Sequence, residues 1–168
     1  MTKNIVLIGL MGSGKSKIAR ALAKKLKVPN LSIDQIIEKK AKHKIRTIIA
    51  QKGWLYFRQM EHAIVRQAAQ KKGVIIDCGG GVVLNPENMA LLKKNGIIFH
   101  LKATPEVIYQ RIKGDPHRPL VNVPNPLAQL KKLYKERLPL YNQADVSIDA
   151  SDPSIQGPVV QILAKVKA

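Results

Sequence analysis

Acidic residues are scarce in this chain: 11 Asp and Glu stand against 29 Lys and Arg, a formal net charge of +18. Aromatic residues make up only 4% of the 168, and cysteine occurs once, as Cys78. Each shortage excludes something. A lone cysteine cannot form a disulfide within the chain and suits a reducing cytoplasm. Sparse aromatics, not interleaved with basic residues, leave no platform for stacking the bases of a nucleic acid. No stretch approaches the roughly 18 apolar residues of a membrane span. The apolar run near the N-terminus is short, breaks at "GSGK" and lacks a small-residue cleavage site, so it is no signal peptide. His43, His62, His100 and His117 show no metal-ligand spacing and read as ordinary polar residues.

The positive charge admits either a nucleic-acid partner or attraction of anionic small molecules. The lysines come as scattered pairs, at 24–25, 39–40, 71–72, 93–94 and 131–132. Most fall where helices should end, a favourable place for cations. Solvated basic surface without an obligatory nucleic-acid partner is therefore expected. The length fits one well-buried domain, residues 1–168.

What is abundant is phosphate-loop chemistry. "GLMGSGKS" (9–16) has the spacing G-x-x-x-x-G-K-S, after the apolar run "IVLI" and before "KIARALAKKL". Glycines let the chain wrap around phosphate oxygens with its N–H groups pointing inward. Lys15 would reach the β- and γ-phosphates, and the Ser16 hydroxyl would ligate Mg²⁺. Ile18, Leu22 and Leu26 recur on one helix face after the loop, and the N-terminus of that helix adds its dipole to the anion site.

Further apolar runs follow: "NLSI" (30–33), "VIIDC" (74–78), "IIFHL" (97–101) and "VSI" (146–148). The long connections between them suit crossover helices, so an α/β fold with a mostly parallel sheet is expected. An insertion of about forty residues, 34–73, looks wholly helical, with Phe57, Met60, Ile64 and Ala68 forming an apolar stripe. The segment 113–126 holds four prolines and no apolar period, and reads as a loop.

Four more constellations carry chemistry. Asp34 lies just past the second strand, where an acid can hold a substrate hydroxyl and take its proton, or simply cap a helix. Arg58 and Glu61 are spaced i, i+3, so the carboxylate either orients the guanidinium or forms a plain surface pair. Gly79, Gly80 and Gly81 permit close backbone approach to a ligand, or make a sharp turn. Asp77, ending a strand, stands where phosphate-loop proteins place a metal-associated carboxylate, or caps the turn that follows. Arg118 and Arg137 can close over a transferring phosphate or lie in solvent.

Taken in order, "GLMGSGKS", Asp34 with "IIE", "GWLYFRQME", "CGGGVV", "HRPLV" and "RLPLYNQAD" resemble the shikimate kinases, small members of the nucleoside-monophosphate-kinase-like P-loop family. The resemblance covers essentially the whole chain. It implies a three-layer P-loop NTPase fold: a five-stranded parallel sheet, a helical substrate-binding insertion about 34–73 and a lid about 113–125. It implies ATP-dependent phosphorylation of the 3-hydroxyl of shikimate, on the route to chorismate and the aromatic amino acids, by a cytoplasmic monomer using ATP and Mg²⁺. Residue by residue, Gly12, Ser13, Gly14, Lys15, Ser16 and Lys17 would hold the ATP phosphates, with Arg111 and Pro153 flanking the adenine. Asp34 would hold the shikimate hydroxyls. Arg58 and Arg137 would hold its carboxylate, with Gly80 and its neighbours Gly79 and Gly81 against the substrate. Arg118 would be the lid arginine.

The chain departs from the family pattern at one place. The family carries a D-x-D pair after the second strand, its first acid serving Mg²⁺ through water; here that position is Ser32. In the resembled fold both strand ends flank the P-loop strand, so Asp77 is the candidate replacement, with Ser16, at the metal. A kinase of another small acid such as gluconate, a basic P-loop nucleic-acid-binding factor and a substrate-binding pseudokinase are the competing readings. The arginine pair with the triple glycine argues against gluconate.

Overall fold

The computed structural model describes residues 3–115 and 123–167. Five parallel strands form one sheet in the order β2-β3-β1-β4-β5: β1 (Asn4–Ile8), β2 (Asn30–Ser32), β3 (Ile75–Asp77), β4 (Gly96–Lys102) and β5 (Val146–Asp149). Alternation along β1 sends Ile5 and Leu7 to one face and Val6 and Ile8 to the other. The first pair packs with α1 (Lys15–Leu26) and α7 (Gln156–Lys167) through Ile18, Leu22, Val159 and Ile162. The second pair packs under α2 (Ile33–Ala41), α3 (Ile45–Ala69), α4 (Pro86–Asn95), α5 (Pro105–Ile112) and α6 (Pro126–Tyr141). Three layers result, as an all-parallel sheet buried on both faces requires.

Three prolines start helices, whereas Pro139 lies inside α6. Pro86, Pro105 and Pro126 each sit in the first turn, where no intrahelical donor is needed. The residues before them, Asn85, Thr104 and Asn125, accept from the N–H groups of Glu87, Val107 and Ala128. The paired lysines 24–25, 39–40 and 93–94 occupy the last turns of α1, α2 and α4, against the negative helix ends. Lys131 and Lys132 differ, lying inside α6, where Lys131 pairs with Glu106 at 2.8 Å.

Three expectations change. The segment 34–73 is not wholly helical: α2 ends at Ala41, α3 runs from Ile45 to Ala69, and α3 breaks at Gly53, whose φ of 83° and ψ of 169° only glycine adopts readily. β2 does not flank the P-loop strand, because β3 lies between them. His100 is no ordinary polar residue. It is 1% exposed on β4, stacked on Tyr141 with ring centroids 4.9 Å apart, and burial with nearby Lys102 and Lys15 lowers its pKa to about 4. Among the described residues, no helix is long and apolar enough to cross a membrane.

Candidate active site

Chain order reverses across β1, whose neighbours are β3 and β4, and in open parallel sheets ligands bind beyond the strand ends at such a point. The loop after β1 is built for an anion. Gly12 (φ 74°) and Gly14 (φ 94°) take the left-handed conformation, and Gly14 is the N-cap of α1. A Cβ on Gly12 would stand 2.8 Å from Ile112, so the loop also needs glycine for space. Lys15 is 8% exposed and folds back to donate to the carbonyls of Gly9 (2.8 Å) and Leu10 (3.0 Å). Ser13 is buried, while Ser16 and Lys17 are exposed at the start of α1.

Arg111, from the last turn of α5, ties this loop to the segment after β5. Its guanidinium donates to Gly12 O (3.3 Å) and to the carbonyls of Ala150 (2.8 Å), Ser151 (2.9 Å) and Asp152 (3.1 Å). Exposed Pro153 follows directly. Arg118 lies outside the described residues.

Across the crevice, α2 and α3 bring charge against the triple glycine. Ser32, not Asp34, is the N-cap of α2, which removes the capping role weighed for Asp34. The Asp34 carboxylate instead faces Gly79: a Cβ there would stand 2.7 Å from its Oδ1. Burial raises the Asp34 pKa, and the Lys15 charge is the largest opposing influence. A carboxyl held above its ordinary range is a better proton acceptor than one in water.

Arg58 donates to Glu61 Oε2 at 2.7 Å, and its guanidinium so fills the space beside Gly81 that a Cβ there would overlap it. Glu61 is 1% exposed, so this is not the plain surface pair that spacing alone allows. Burial raises the Glu61 pKa and Arg58 pulls it back. The rings of Phe57 and Trp54 lie 5.0 and 5.4 Å from the Arg58 guanidinium carbon and hold it as cation–π partners. Arg137, on α6, donates to Gly80 O at 3.1 Å.

Two site residues were not anticipated. The Tyr141 hydroxyl donates to the same Gly80 carbonyl, and Tyr141 stacks on His100. Its spacing of i+4 from Arg137 on one helix was the available signal. His100 carried none, since only the sheet places it beside α6.

A parallel sheet with a phosphate loop at its reversal point, faced by a half-buried acid and two arginines, defines a P-loop kinase for a small anionic acceptor. The chain belongs to the shikimate kinase family, whose profile matches residues 11–167. The shikimate kinase of Thermodesulfovibrio yellowstonii is 44% identical over 147 residues, 88% of this chain and 85% of that one. The shikimate kinase of Acinetobacter baumannii, solved in complex with shikimate, superposes with a TM-score of 0.94 at 32% identity, covering 99% of this chain and 94% of that one. A gluconokinase of Sinorhizobium meliloti reaches a TM-score of 0.61 at 16% identity and shares the fold alone. As a member of its family the chain is an ATP-dependent phosphotransferase.

Proposed function

We propose that the protein transfers the γ-phosphoryl group of ATP to the 3-hydroxyl of shikimate, giving shikimate 3-phosphate and ADP for the route to the aromatic amino acids. The observation that carries this reading is the convergence of Arg58, Arg137 and Asp34 on Gly79–Gly81 beside the phosphate loop. Two guanidiniums suit one small carboxylate, which they can clamp with charge-assisted hydrogen bonds. The Acinetobacter enzyme, solved with shikimate, supports the same substrate class.

Each group then has a task. Arg58, oriented by Glu61, and Arg137, anchored on Gly80, fix the ring by its carboxylate. Gly80 presents its N–H to the substrate, between Gly79 and Gly81. Asp34 holds the ring hydroxyls and accepts the proton of the attacking one. That oxygen bonds to the γ-phosphorus as the bond to the β–γ bridging oxygen breaks, and the negative charge leaves with ADP. Residues Gly12 to Lys17 hold the phosphates, with Lys15 on the β- and γ-oxygens; Arg111 and Pro153 flank the adenine. Arg118 closes over the γ-phosphate from a lid about 113–125, and the segment 34–73 covers the acceptor.

The residues fit Mg²⁺: the exposed Ser16 hydroxyl sits in the first turn of α1 with the Asp77 carboxylate close enough to feel it. Bound there, the ion neutralises charge on the β- and γ-phosphate oxygens. This reading includes a monomer, and the buried free thiol of Cys78 suits a reducing cytoplasm.

An ADP-release assay across shikimate, quinate, gluconate and nucleoside monophosphates tests the reading. Turnover is expected with shikimate and Mg²⁺. Equal turnover with gluconate, or none with any small acid, would overturn it.

A further inference from the structure

Asp77 has no task in the transfer just described, yet its surroundings are specific. It is the last residue of β3, 4% exposed, and its register partners are Leu7 on β1 and Ser32 on β2. In a parallel ladder, partners at one register level send their side chains to the same face of the sheet. Asp77 therefore occupies the same level as Ser32, one strand nearer the phosphate loop. β3 adjoins β1 directly, whereas β2 pairs only with β3.

The Ser16 side chain lies close enough to the Asp77 carboxylate to pull its pKa down against burial, as do the Lys15 and Arg20 charges. Asp34 is the neighbouring acid that feels the Asp77 charge. The described residues contain no cluster of three metal-ligating side chains. A nucleotide-bound Mg²⁺ does not require one. It takes phosphate oxygens, one hydroxyl and waters, with one or two carboxylates. A carboxylate beside the metal-ligating hydroxyl is placed to receive hydrogen bonds from those waters and to offset the ion's charge.

We propose that Asp77 is the Mg²⁺-associated carboxylate of this enzyme, acting from β3 with Ser16 at the level where β2 carries the uncharged Ser32, while Asp34 is left to the acceptor. The proposal rests on the reading of residues 9–16 as a nucleotide site, and its test separates the two.

The test is calorimetric titration of the full chain with ADP, first in EDTA and then across a Mg²⁺ series, with no turnover involved. The ligand-free variants are checked for native circular dichroism. In the unaltered protein, Mg²⁺ should tighten ADP. In Asp77→Asn that tightening should shrink by about tenfold or more, the size expected for loss of a metal's supporting partner. ADP without metal should bind the variant as well as before, or better. The exchanged variant, Ser32→Asp with Asp77→Ser, returns the acid to the position where the family pattern carries it, and should recover the Mg²⁺ tightening that Asp77→Asn loses. Asp77→Asn or Asp77→Ser with undiminished Mg²⁺ tightening overturns the proposal. A loss of equal size in EDTA overturns it too, because Asp77 then supports the loop and not the metal. Failure of the unaltered protein to bind ADP under any condition would instead remove the nucleotide reading itself.

Discussion

Arg58 donates to Glu61 Oε2, one turn further along α3, at 2.7 Å, and the receiving carboxylate is only 1% exposed. An ion pair with one member this deep is costly to form and more costly to break, since either partner alone would be left charged and undercompensated. Glu61 Oε1 has no hydrogen-bond partner among the described residues. Such an arrangement serves to aim a guanidinium, in this case toward the triple glycine.

Arg58→Ala and Arg137→Ala should each weaken shikimate far more than ATP. A charge-assisted hydrogen bond is worth roughly 1.5–3 kcal/mol, so the shikimate KM should rise about ten- to a hundredfold. Steady-state kinetics with each substrate varied in turn measure this. An unchanged shikimate KM in both variants would place the carboxylate elsewhere.

Gly79→Ala and Gly81→Ala should harm substrate binding more than stability. Neither position has a positive φ, and the atoms a Cβ would meet are ends of side chains, Asp34 Oδ1 and the Arg58 guanidinium. Those ends can move aside, at the cost of their alignment. The expectation is a shikimate KM raised severalfold with a nearly unchanged melting temperature. Gly9→Ala is the contrast, because its Cβ would stand 2.6 Å from the backbone oxygen of Leu101 at φ 147°. That variant should melt well below the parent.

Asp34, Glu61 and Asp77 all have carboxyl pKa values raised by burial. The native state therefore holds protons that the unfolded chain releases. The stability this confers is complete below the ordinary carboxylate values and is lost as pH rises through the raised ones. Asp34→Asn should accordingly raise the melting temperature of the ligand-free protein at pH 7, with the gain fading as pH falls toward 3.8. Parallel melting curves across that range decide it. A variant less stable at pH 7 would show that ion pairing, not burial, governs the acid.

His100 works in the opposite sense. Its folded pKa of about 4 lies below the ordinary 6.5, so between those values the native state binds fewer protons than the unfolded chain. Stability is full above 6.5 and falls as pH drops toward 4, with about 2 kcal/mol lost from this group between pH 7 and pH 5. Urea unfolding of His100→Asn should lack that loss over the same interval. Identical pH slopes for parent and variant would remove the assignment.

Arg118→Ala should lower kcat much more than it raises the shikimate KM, since a lid arginine acts on charge that grows in the transition state. Rapid-quench measurement of a single turnover checks that the chemical step itself is slowed. A near-normal kcat would leave the role to Lys15.

Local chemistry made much of this protein legible. The phosphate loop and the five strands rest on spacings within a few residues, where φ preference and alternation act. The parallel sheet follows from connection lengths, which are also written along the chain. What the sequence could not carry is which distant residues share a neighbourhood. The position of β3 between β2 and β1 is a matter of the whole sheet, and it puts Asp77 rather than residue 32 on the strand beside the P-loop strand. Arg137 and Tyr141 meet Gly80 across 57 and 61 residues of chain, and His100 joins them only because β4 runs beside α6. Burial of Glu61 turned an i, i+3 pair of the commonest kind into an aimed guanidinium. Such energies come from desolvation and contact in the folded state, and no window of local sequence contains them.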